Sequence, residues 1–274
     1  MKKLGDYRVV VDQSTSATKL LLIKDGKILN KYRRKHRQIF PQKGWVEHNP
    51  EEISENVKRL LSELLKQNKL KAYEIESISI TNQRETIVAW DKVTGKPLYN
   101  AVVWQCNRSA EICKELIALG NEKLIQRKTG LKIDSYFSGT KIKWLVENIP
   151  EVGEALESDR LAIGTIDTWL IWQLTDGKHF VTEPSNASRT LLFDIYENHW
   201  DEELIKLFGI NLSVLPEVLP SSSTFGTYSG IPIVGVMADS QAALYGQGCL
   251  ETGEIKITMG TGSSVMMQVG EKAN

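Results

Sequence analysis

Residues 8–27 read Arg-Val-Val-Val-Asp-Gln-Ser-Thr-Ser-Ala-Thr-Lys-Leu-Leu-Leu-Ile-Lys-Asp-Gly-Lys. Two apolar, strand-forming runs, 8–11 and 20–23, are interrupted by a hydroxyl-rich stretch at 12–16. An Asp25-Gly26 pair follows the second run, and this dipeptide is typical of tight hairpin turns. The pattern predicts an antiparallel meander of strands at the N-terminal end of the chain.

A similar unit returns near residue 274. Residues 254–258 form a strand-like run, 259–264 a turn rich in glycine and hydroxyl groups, and 265–269 a second strand-like run. A repeat of this kind suggests a duplicated fold whose two halves face each other. We expect residues 1–250 to form one domain and 251–274 to be the opening hairpin of a second, so that the chain is the first part of a longer protein.

Strand and helix patterns alternate between these two units, which predicts an α/β fold. Asn49 is placed to cap a helix that begins at Pro50, and Glu52 has the spacing of a capping box. We predict a helix at 141–148 that Pro150 stops. Further helices are predicted at 109–119, 166–174 and 240–246, strands at 78–81, 101–104 and 231–236, and a hairpin through 91–95.

Composition argues against several classes of function, although it leaves room for a local basic patch. Lys plus Arg and Asp plus Glu number 34 each, so no net field favours nucleic acid or an anionic membrane. Three cysteines without CxxC spacing fit neither a disulfide framework nor a zinc site, and we expect Cys106 and Cys113 to pack as small apolar residues. No segment approaches the roughly 20 apolar residues of a membrane span. We therefore expect a cytoplasmic protein without a nucleic-acid or membrane partner.

The two hydroxyl-rich turns have the chemistry of phosphate sites. Serine and threonine hydroxyls and exposed backbone N–H groups can cradle phosphate oxygens, and the glycines at 260 and 262 allow close approach of a ligand. Asp12, at a strand end, could hold Mg²⁺ through water. Each turn alone could equally be an ordinary hairpin turn, and the phosphate interpretation rests on their occurring together.

Four segments could supply a substrate site. Asp239 follows an apolar strand and precedes a helix, where a carboxylate could act as a general base or simply cap the helix. Arg84 and Glu85 follow the strand 78–81 and offer a donor and an acceptor to neighbouring hydroxyls. Trp104 could pack on a carbon chain and Tyr136 could form an aromatic rim. By composition alone, these side chains could equally be a surface ion pair and two core aromatics.

The residues, taken in order, resemble a known family. The matching stretches are 12–16 (Asp-Gln-Ser-Thr-Ser), 36–50, 80–86 (Ile-Thr-Asn-Gln-Arg-Glu-Thr), 100–105, 164–172, 185–190, 239–246 and 260–262. They run in family order across nearly the whole chain, so the resemblance is more specific than any one motif. It is to the FGGY family of sugar and polyol kinases, and most closely to its glycerol-phosphorylating members.

This resemblance implies an actin-like, ribonuclease-H-type domain with a mixed sheet flanked by helices, the first half of a duplicated two-domain kinase. It implies transfer of the γ-phosphoryl group of ATP, with Mg²⁺, to a primary hydroxyl, and glycerol is the expected substrate. Asp239 would be the catalytic base, and the polyol would be bound by Arg84, Glu85, Trp104, Tyr136, Asp239 and Ser240. The nucleotide phosphates would be contacted by Ser14, Thr15, Ser16, Lys19, Gly260, Thr261 and Gly262, with Asp12 beside the metal ion.

The chain departs from the family pattern at three positions. Lys19 replaces an arginine, Cys106 an aspartate and Ser240 a glutamine that usually helps to hold the polyol. Loss of a hydrogen-bonding group can change substrate choice strongly. The loop 225–230 is shorter than the segment that carries regulation in some relatives, so we expect neither sugar-bisphosphate inhibition nor histidine phosphorylation.

The sequence leaves other functions open. The chain could belong to a kinase for erythritol, xylulose or another sugar, to an actin-like ATPase switch, or to a sugar-binding relative without activity. An ATPase switch would leave Arg84, Glu85, Trp104 and Asp239 scattered. Because relatives form most of the adenine pocket in their second domain, we expect this chain alone to bind nucleotide poorly and to turn over slowly. A full-length protein could form homo-oligomers.

Overall fold

A computed structural model describes residues 5–259 and 263–270. Strands and helices are interspersed along the chain, as the α/β prediction requires. The strands are β1 Tyr7–Gln13, β2 Ala17–Lys24, β3 Lys27–Lys35, β4 Glu47–His48, β5 Ile75–Asn82, β6 Ile87–Asp91, β7 Ala101–Val102, β8 Leu161–Thr165, β9 Val181–Thr182, β10 Phe193–Asp194, β11 His199–Trp200, β12 Glu217–Val218, β13 Thr224–Tyr228, β14 Ile231–Ala238, β15 Ile255–Thr258 and β16 Ser264–Met267.

The helices cover the sheets and connect their strands. Among the described residues, no helix combines the length and the apolar character needed to cross a membrane. The helices are α1 Pro50–Gln67, α2 Ala110–Ala118, α3 Glu122–Thr129, α4 Ser138–Asn148, α5 Pro150–Glu157, α6 Ile166–Leu174, α7 Pro184–Ala187, α8 Glu202–Leu207 and α9 Asp239–Gly246, with short 3₁₀ turns at Ala72–Glu74 and Leu212–Val214.

The main sheet has six strands in the order β13-β14-β5-β1-β2-β3. Strands β1, β2 and β3 form the predicted antiparallel meander, and β1, β5 and β14 run parallel. The sheet is therefore mixed, and the predicted fold class is confirmed. Apolar side chains of β1, β2, β5 and β14 pack with those of α1 and α6 in one core.

A second core surrounds the four-stranded sheet β4-β7-β6-β8. It takes apolar side chains from this sheet and from α2, α4, α5 and α8. Cys106 and Cys113 are buried in this core, as expected for small apolar residues. The two cores meet along α6 and β6, so the two sheets are parts of one packed unit.

Helix α1 shows how the local sequence sets an element. The Asn49 side chain accepts hydrogen bonds from the backbone N–H groups of Glu51 and Glu52, and Pro50 takes the first helical position. The predicted capping box is wrong, because the Glu52 carboxylate instead accepts from the N–H of Arg37 in a neighbouring loop. A tertiary partner has replaced the local one.

Other predicted boundaries need correction. Helix α4 begins three residues earlier than predicted, and Pro150, expected only to stop it, opens the next helix, α5. Past the turn at 91–95, only an isolated bridge between Trp90 and Pro97 continues the hairpin. The strand predicted at 101–104 ends at Val102, because the N–H of Trp104 turns toward the hydroxyl of Thr86.

Candidate active site

Three parallel strands end at the same edge of the main sheet, and a predicted site residue belongs to each end. Asp12 lies at the end of β1, Arg84 two residues past β5 and Asp239 directly after β14. The register pairs Ala238 with Asn82, so the last two of these strands end side by side. In open α/β sheets, ligands bind in the crevice beyond such strand ends.

All predicted polyol-binding residues line one cleft at this edge, with a volume of about 400 Å³. The cleft takes side chains from the first turn, from the segment after β5, from two loops and from the start of α9. The last strands of the chain also contribute. Its lining residues are Thr15, Arg84, Glu85, Trp104, Tyr136, Asp239, Ser240, Thr258, Ser263 and Ser264.

Glu85 occupies an unusual backbone conformation at the base of the cleft. Its φ is +60°, in the left-handed region that a residue with a side chain seldom adopts. A hydrogen bond of 2.7 Å from Thr86 N–H to the Arg84 carbonyl closes the turn around it, and the Ser138 hydroxyl donates to the Glu85 carbonyl at 3.1 Å. Strained backbone of this kind concentrates at functional sites.

The Glu85 carboxylate is buried between two guanidinium groups. Its side chain is only 1% exposed, with Arg189 Nε 2.7 Å and Arg84 Nε 3.9 Å from its Oε1. Burial raises the pKa of Glu85, and the positive charges of Arg84 and Arg189 oppose that rise. The two arginines therefore stabilise the charged form of the Glu85 carboxylate, a hydrogen-bond acceptor, at a buried position.

Asp239 combines exposure to the cleft with a charged neighbour. Its Oδ1 lies 3.3 Å from Arg84 Nε, and 47% of its side-chain surface is exposed. Burial raises the pKa of Asp239, Arg84 lowers it, and the nearby charge of Asp12 raises it further. Its Oδ1 also accepts from the N–H of Ser240 at 2.7 Å, within the first turn of α9. A more basic carboxylate that still faces the cleft is suited to accept a proton.

The end of β14, which carries Asp239, is held from behind. The N–H of Ala238 donates to the hydroxyl of Ser185 at 2.8 Å, and that hydroxyl donates to Glu183 at 2.6 Å. Glu183 is fully buried and also accepts from the hydroxyl of Ser221. These contacts fix the backbone directly before the candidate base.

Two aromatic side chains form another wall of the cleft. The rings of Trp104 and Tyr136 meet edge to face, with centroids 5.7 Å apart. The indole Nε1 of Trp104 donates to the hydroxyl of Thr15 at 2.9 Å, so this wall is tied to the first turn. Burial raises the pKa of Tyr136, which keeps its hydroxyl protonated and able to donate.

Lys141, on α4, holds the loop that carries Tyr136. The side chain is fully buried, and its Nζ donates to the carbonyls of Ser135, Tyr136 and Phe137 at 2.8, 2.6 and 2.9 Å. Burial lowers the pKa of Lys141 to about 7, while the charge of Glu85 opposes this shift. The three carbonyls each stabilise the protonated amine, which has three N–H groups to give.

The side chains of the first hydroxyl-rich turn lie in two different places, one in the cleft and the others around Asp12 or in solvent. Thr15 lines the cleft, and Ser16 is exposed to solvent. Ser14 donates to Asp12 at 2.6 Å, and Lys19 donates to both, at 2.8 Å each. Of the four predicted phosphate contacts in this segment, only Thr15 therefore belongs to the cleft itself, while Ser14 and Lys19 form a polar group around Asp12.

The predicted contacts Gly260, Thr261 and Gly262 lie outside the described residues. Thr258 and Ser263, on either side of them, line the cleft. Strands β15 and β16 pair as an antiparallel hairpin, as the repeat predicted.

Asp12 is suited to magnesium only with water as the remaining ligands. Its side chain is 29% exposed. Within residues 5–259 and 263–270, no group of three or more His, Cys, Asp or Glu side chains is arranged to hold a metal ion. One accessible carboxylate fits Mg²⁺, which keeps several waters and takes few carboxylates.

The three departures from the family pattern lie in different surroundings. Ser240 lines the cleft beside Asp239, whereas Lys19 contacts Asp12. Cys106 is buried away from the cleft, where its Sγ accepts from Arg108 Nε at 3.0 Å. Only Ser240 is thus placed to act on a substrate directly.

Several residues that shape the cleft cannot be identified from the sequence alone. Arg189 lies within the stretch 185–190 that resembles the family, but nothing in the sequence places it beside Glu85, 104 positions away. Ser263 and Ser264 belonged to the second hydroxyl-rich turn, and that composition was the available signal. Lys141 and Glu183 had no signal, since a lone charged residue is usually exposed.

This fold, with a charged cleft beyond its strand ends, is that of a sugar-kinase domain, and the chain belongs to the FGGY family of carbohydrate kinases. The sequence model of the N-terminal domain of that family matches residues 7–246. The match includes the strand ends and each cleft residue from Thr15 to Ser240.

The chain is similar to curated glycerol kinases. It is 48% identical to glycerol kinase 1 of Thermotoga maritima over 275 residues, which cover 98% of this chain and 56% of the relative. It is also 48% identical to the glycerol kinase of Symbiobacterium thermophilum, over 97% of this chain and 55% of the relative. The chain thus spans just over half the length of these relatives.

Solved structures agree with this family. The glycerol kinase of Plasmodium falciparum with ADP matches with a TM-score of 0.90 and 42% identity, over 96% of this chain and 55% of that one. A xylulose kinase of Lactobacillus acidophilus matches with a TM-score of 0.85 at 21% identity, which shows a shared fold only.

Proposed function

We propose that the protein phosphorylates glycerol at a primary hydroxyl with ATP, and that this chain supplies the polyol site and the catalytic base. The observation that carries the proposal is the convergence of Arg84, Glu85, Trp104, Tyr136 and Asp239 on one cleft. An ATPase switch would have no reason to gather these side chains. The similarity to curated glycerol kinases favours glycerol over other polyols.

In this proposal, each side chain has one task. The Asp239 carboxylate accepts the proton of the primary hydroxyl of glycerol while the oxygen of that hydroxyl bonds to the γ-phosphorus of ATP. The bond from that phosphorus to the β,γ-bridging oxygen breaks, and the electron pair leaves with ADP. Arg84 donates to hydroxyl oxygens, Glu85 accepts from hydroxyl hydrogens, and Trp104 packs on the carbons. Such a reaction depends mainly on positioning and on stabilisation of charge.

The phosphate side of the site is also a proposal. Thr15 and residues 260–262 would contact the phosphates of ATP, and Ser14, Ser16 and Lys19 would complete the first turn. Asp12 would hold Mg²⁺ through water, and that ion would neutralise charge on the phosphates. Lys19 could leave Asp12 and donate to a phosphate oxygen instead, because its side chain is partly exposed and has a flexible four-carbon stem.

We further propose that residues 1–250 form the substrate-binding domain and that 251–274 begin the nucleotide-binding domain. The hairpin β15–β16, which repeats the opening pattern, supports this division. The partners are then a small polyol and ATP, and the three free cysteines favour a reducing cytoplasm.

Calorimetric titration of this chain with glycerol tests the polyol site without requiring turnover. We expect binding, and Glu85→Gln should weaken it about tenfold or more, since a hydrogen bond to a charged group contributes about 1.5–3 kcal/mol. The matched control is Glu76→Gln, because Glu76 pairs with Arg8 on the surface. Equal affinity in both variants, or tighter binding of another polyol, would overturn the assignment to glycerol at this cleft.

A further inference from the structure

A closed ring of hydrogen bonds runs behind the cleft and joins two of its walls. We call it the polar ring, and it consists of Thr15, Gln38, His48, Gln83, Thr86 and Trp104. Its contacts are Trp104 Nε1 to Thr15 Oγ1 (2.9 Å), Trp104 N to Thr86 Oγ1 (3.2 Å), Thr86 Oγ1 to Gln83 Oε1 (3.2 Å), Gln83 Nε2 to His48 Nδ1 (3.4 Å), His48 Nε2 to Gln38 Oε1 (2.8 Å) and Gln38 Nε2 to Thr15 O (3.0 Å).

The ring is largely buried. His48, Gln83 and Thr86 are at most 1% exposed, and none of them lines the cleft. Thr15 and Trp104 do line it, and in the proposed function they contact phosphate and polyol respectively. The ring therefore connects two cleft residues through side chains that do not line the cleft.

Every contact in the ring has one donor and one acceptor, provided that His48 is neutral. Gln83 donates to His48 Nδ1, so the ring proton of the histidine is on Nε2, which donates to Gln38. Burial and, to a smaller extent, the charge of the neighbouring His36 lower the pKa of His48 to about 3. The imidazole is accordingly neutral at physiological pH, and the direction of the ring is defined.

Both cleft residues are held at two points. Trp104 is fixed through its backbone N–H and its indole N–H, at opposite ends of the residue. Thr15 is fixed through its hydroxyl and its carbonyl, and the carbonyl also contacts His36 Nε2 at 2.9 Å. A shift of Trp104 therefore breaks or moves its hydrogen bond to Thr15 in the first hydroxyl-rich turn.

We propose that Gln38, His48, Gln83 and Thr86 are positioning residues. They hold the aromatic wall of Trp104 and Tyr136 and the first hydroxyl-rich turn, residues 12–16, in one relative arrangement. This inference rests on the proposed function and deepens it, because it names how the two halves of the site are coupled. Buried polar networks whose members are all satisfied rigidify their surroundings. Opening the ring at any contact should loosen Trp104 and Thr15 together.

The test opens the ring at two distant contacts in a double-mutant cycle. Gln38→Met removes the amide contacts of Gln38 to Thr15 and to His48, and Thr86→Val removes the hydroxyl between Trp104 and Gln83. Each variant should weaken glycerol binding by about three- to tenfold, as expected for loss of a hydrogen bond. The double variant should bind glycerol no more weakly than the weaker-binding single variant, because opening the ring at one contact already removes most of its effect on Trp104 and Thr15. Thr86→Ser should restore binding.

The matched control is Thr129→Val. Thr129 is also buried, donates to the carbonyl of Ile125 and accepts from the N–H of Leu131, but lies outside the ring. It should lower the melting temperature and leave the affinity for glycerol unchanged. A purely structural role would give that same pattern for Thr86→Val. Unchanged affinity in the ring variants, or effects that multiply in the double variant, would overturn the proposal.

A measurement without ligand separates this proposal from the proposed function. The N–H of Ser14 donates to the carbonyl of Ala17 at 3.0 Å and closes the turn that holds Thr15. The hydrogen exchange of this N–H should be faster in Thr86→Val than in the wild type, although Thr86 contacts Trp104 and not Ser14. It should be unchanged in Thr129→Val. If the wild-type chain does not bind glycerol, the proposed function fails, and the ring proposal is decided by this exchange alone.

Discussion

The guanidinium of Arg189 lies 2.7 Å from the carboxylate of Glu85, and the two residues are 104 positions apart in the chain. Arg84, the sequence neighbour of Glu85, lies farther away, at 3.9 Å. The charged state of the buried carboxylate thus depends on an arginine from a distant segment. Arg189 also lies over the ring of Phe137, 4.9 Å from its centroid, which fixes its orientation.

Arg189→Leu should weaken glycerol binding and make it depend on pH. Without this arginine the pKa of Glu85 rises further, so the carboxyl is protonated and loses its role as an acceptor until the pH increases. Calorimetry between pH 5 and 9 should show affinity increasing with pH in the variant more steeply than in the wild type. Arg59→Leu, which removes an exposed pair with Glu55, is the control. Parallel pH profiles for Arg189→Leu and the wild type would contradict this account of Glu85.

Lys141→Met should loosen the loop that carries Tyr136. The substitution keeps an unbranched side chain, one atom shorter, but leaves three carbonyls without their donor. We expect a lower melting temperature and weaker glycerol binding. The control is Lys143→Met on the same helix, where the lysine pairs with Glu147 near the surface. If both variants bind glycerol equally well, Lys141 has no part in positioning Tyr136.

Asp167 should make stability depend on pH. It is fully buried, its carboxylate accepts from the hydroxyls of Thr165 and Thr182, and burial raises its pKa to about 7. Because the folded state binds this proton more tightly, the stabilisation is complete below about pH 4, the ordinary value, and is lost as the pH rises through about 7.

Asp167→Asn removes this titration. The free energy of unfolding, measured with urea at pH 5 and pH 8, should fall less between these values in the variant than in the wild type. A constant difference between the two proteins at both pH values would show that Asp167 does not titrate in this range.

Two helical glycines give opposite expectations. A Cβ at Gly139 would lie 2.8 Å from the carbonyl of Thr190 and 3.0 Å from the Phe208 ring, so Gly139→Ala should destabilise the protein by about 1–3 kcal/mol. At Gly153 the nearest atom is 3.5 Å away, and Gly153→Ala should stabilise it by about 0.4–1 kcal/mol. Thermal unfolding of both variants tests this, and a stable Gly139→Ala would mean that the helix has room to move.

Local patterns predicted the elements whose signals lie within a few residues. The cap at Asn49, the meander of β1 to β3 and the bounds of α6 all follow from adjacent side chains and turn dipeptides. Local predictions failed where a distant group intervened, as when the Glu52 carboxylate accepted from Arg37 instead of from the helix cap. Local propensity cannot include a partner that only the folded chain brings near.

The candidate site divides in the same way. The family resemblance indicated Arg84, Glu85 and Asp239, and the strand ends explain why they meet. The support behind them, such as Arg189 on Glu85, comes from pairings across more than a hundred residues. Spacing along the chain contains no information on such pairings, so only the structure could identify them.

The most direct test of the central claim is ADP release on a panel of polyols and sugars, with Asp239→Asn alongside. It uses this chain alone and this chain joined to the C-terminal domain of a family member, since we expect the chain alone to be slow. We predict release that requires glycerol and falls by about 10²–10⁴ in Asp239→Asn, while glycerol binding persists through Arg84 and Glu85. ADP release that is independent of any polyol, or unchanged in Asp239→Asn, would contradict the account.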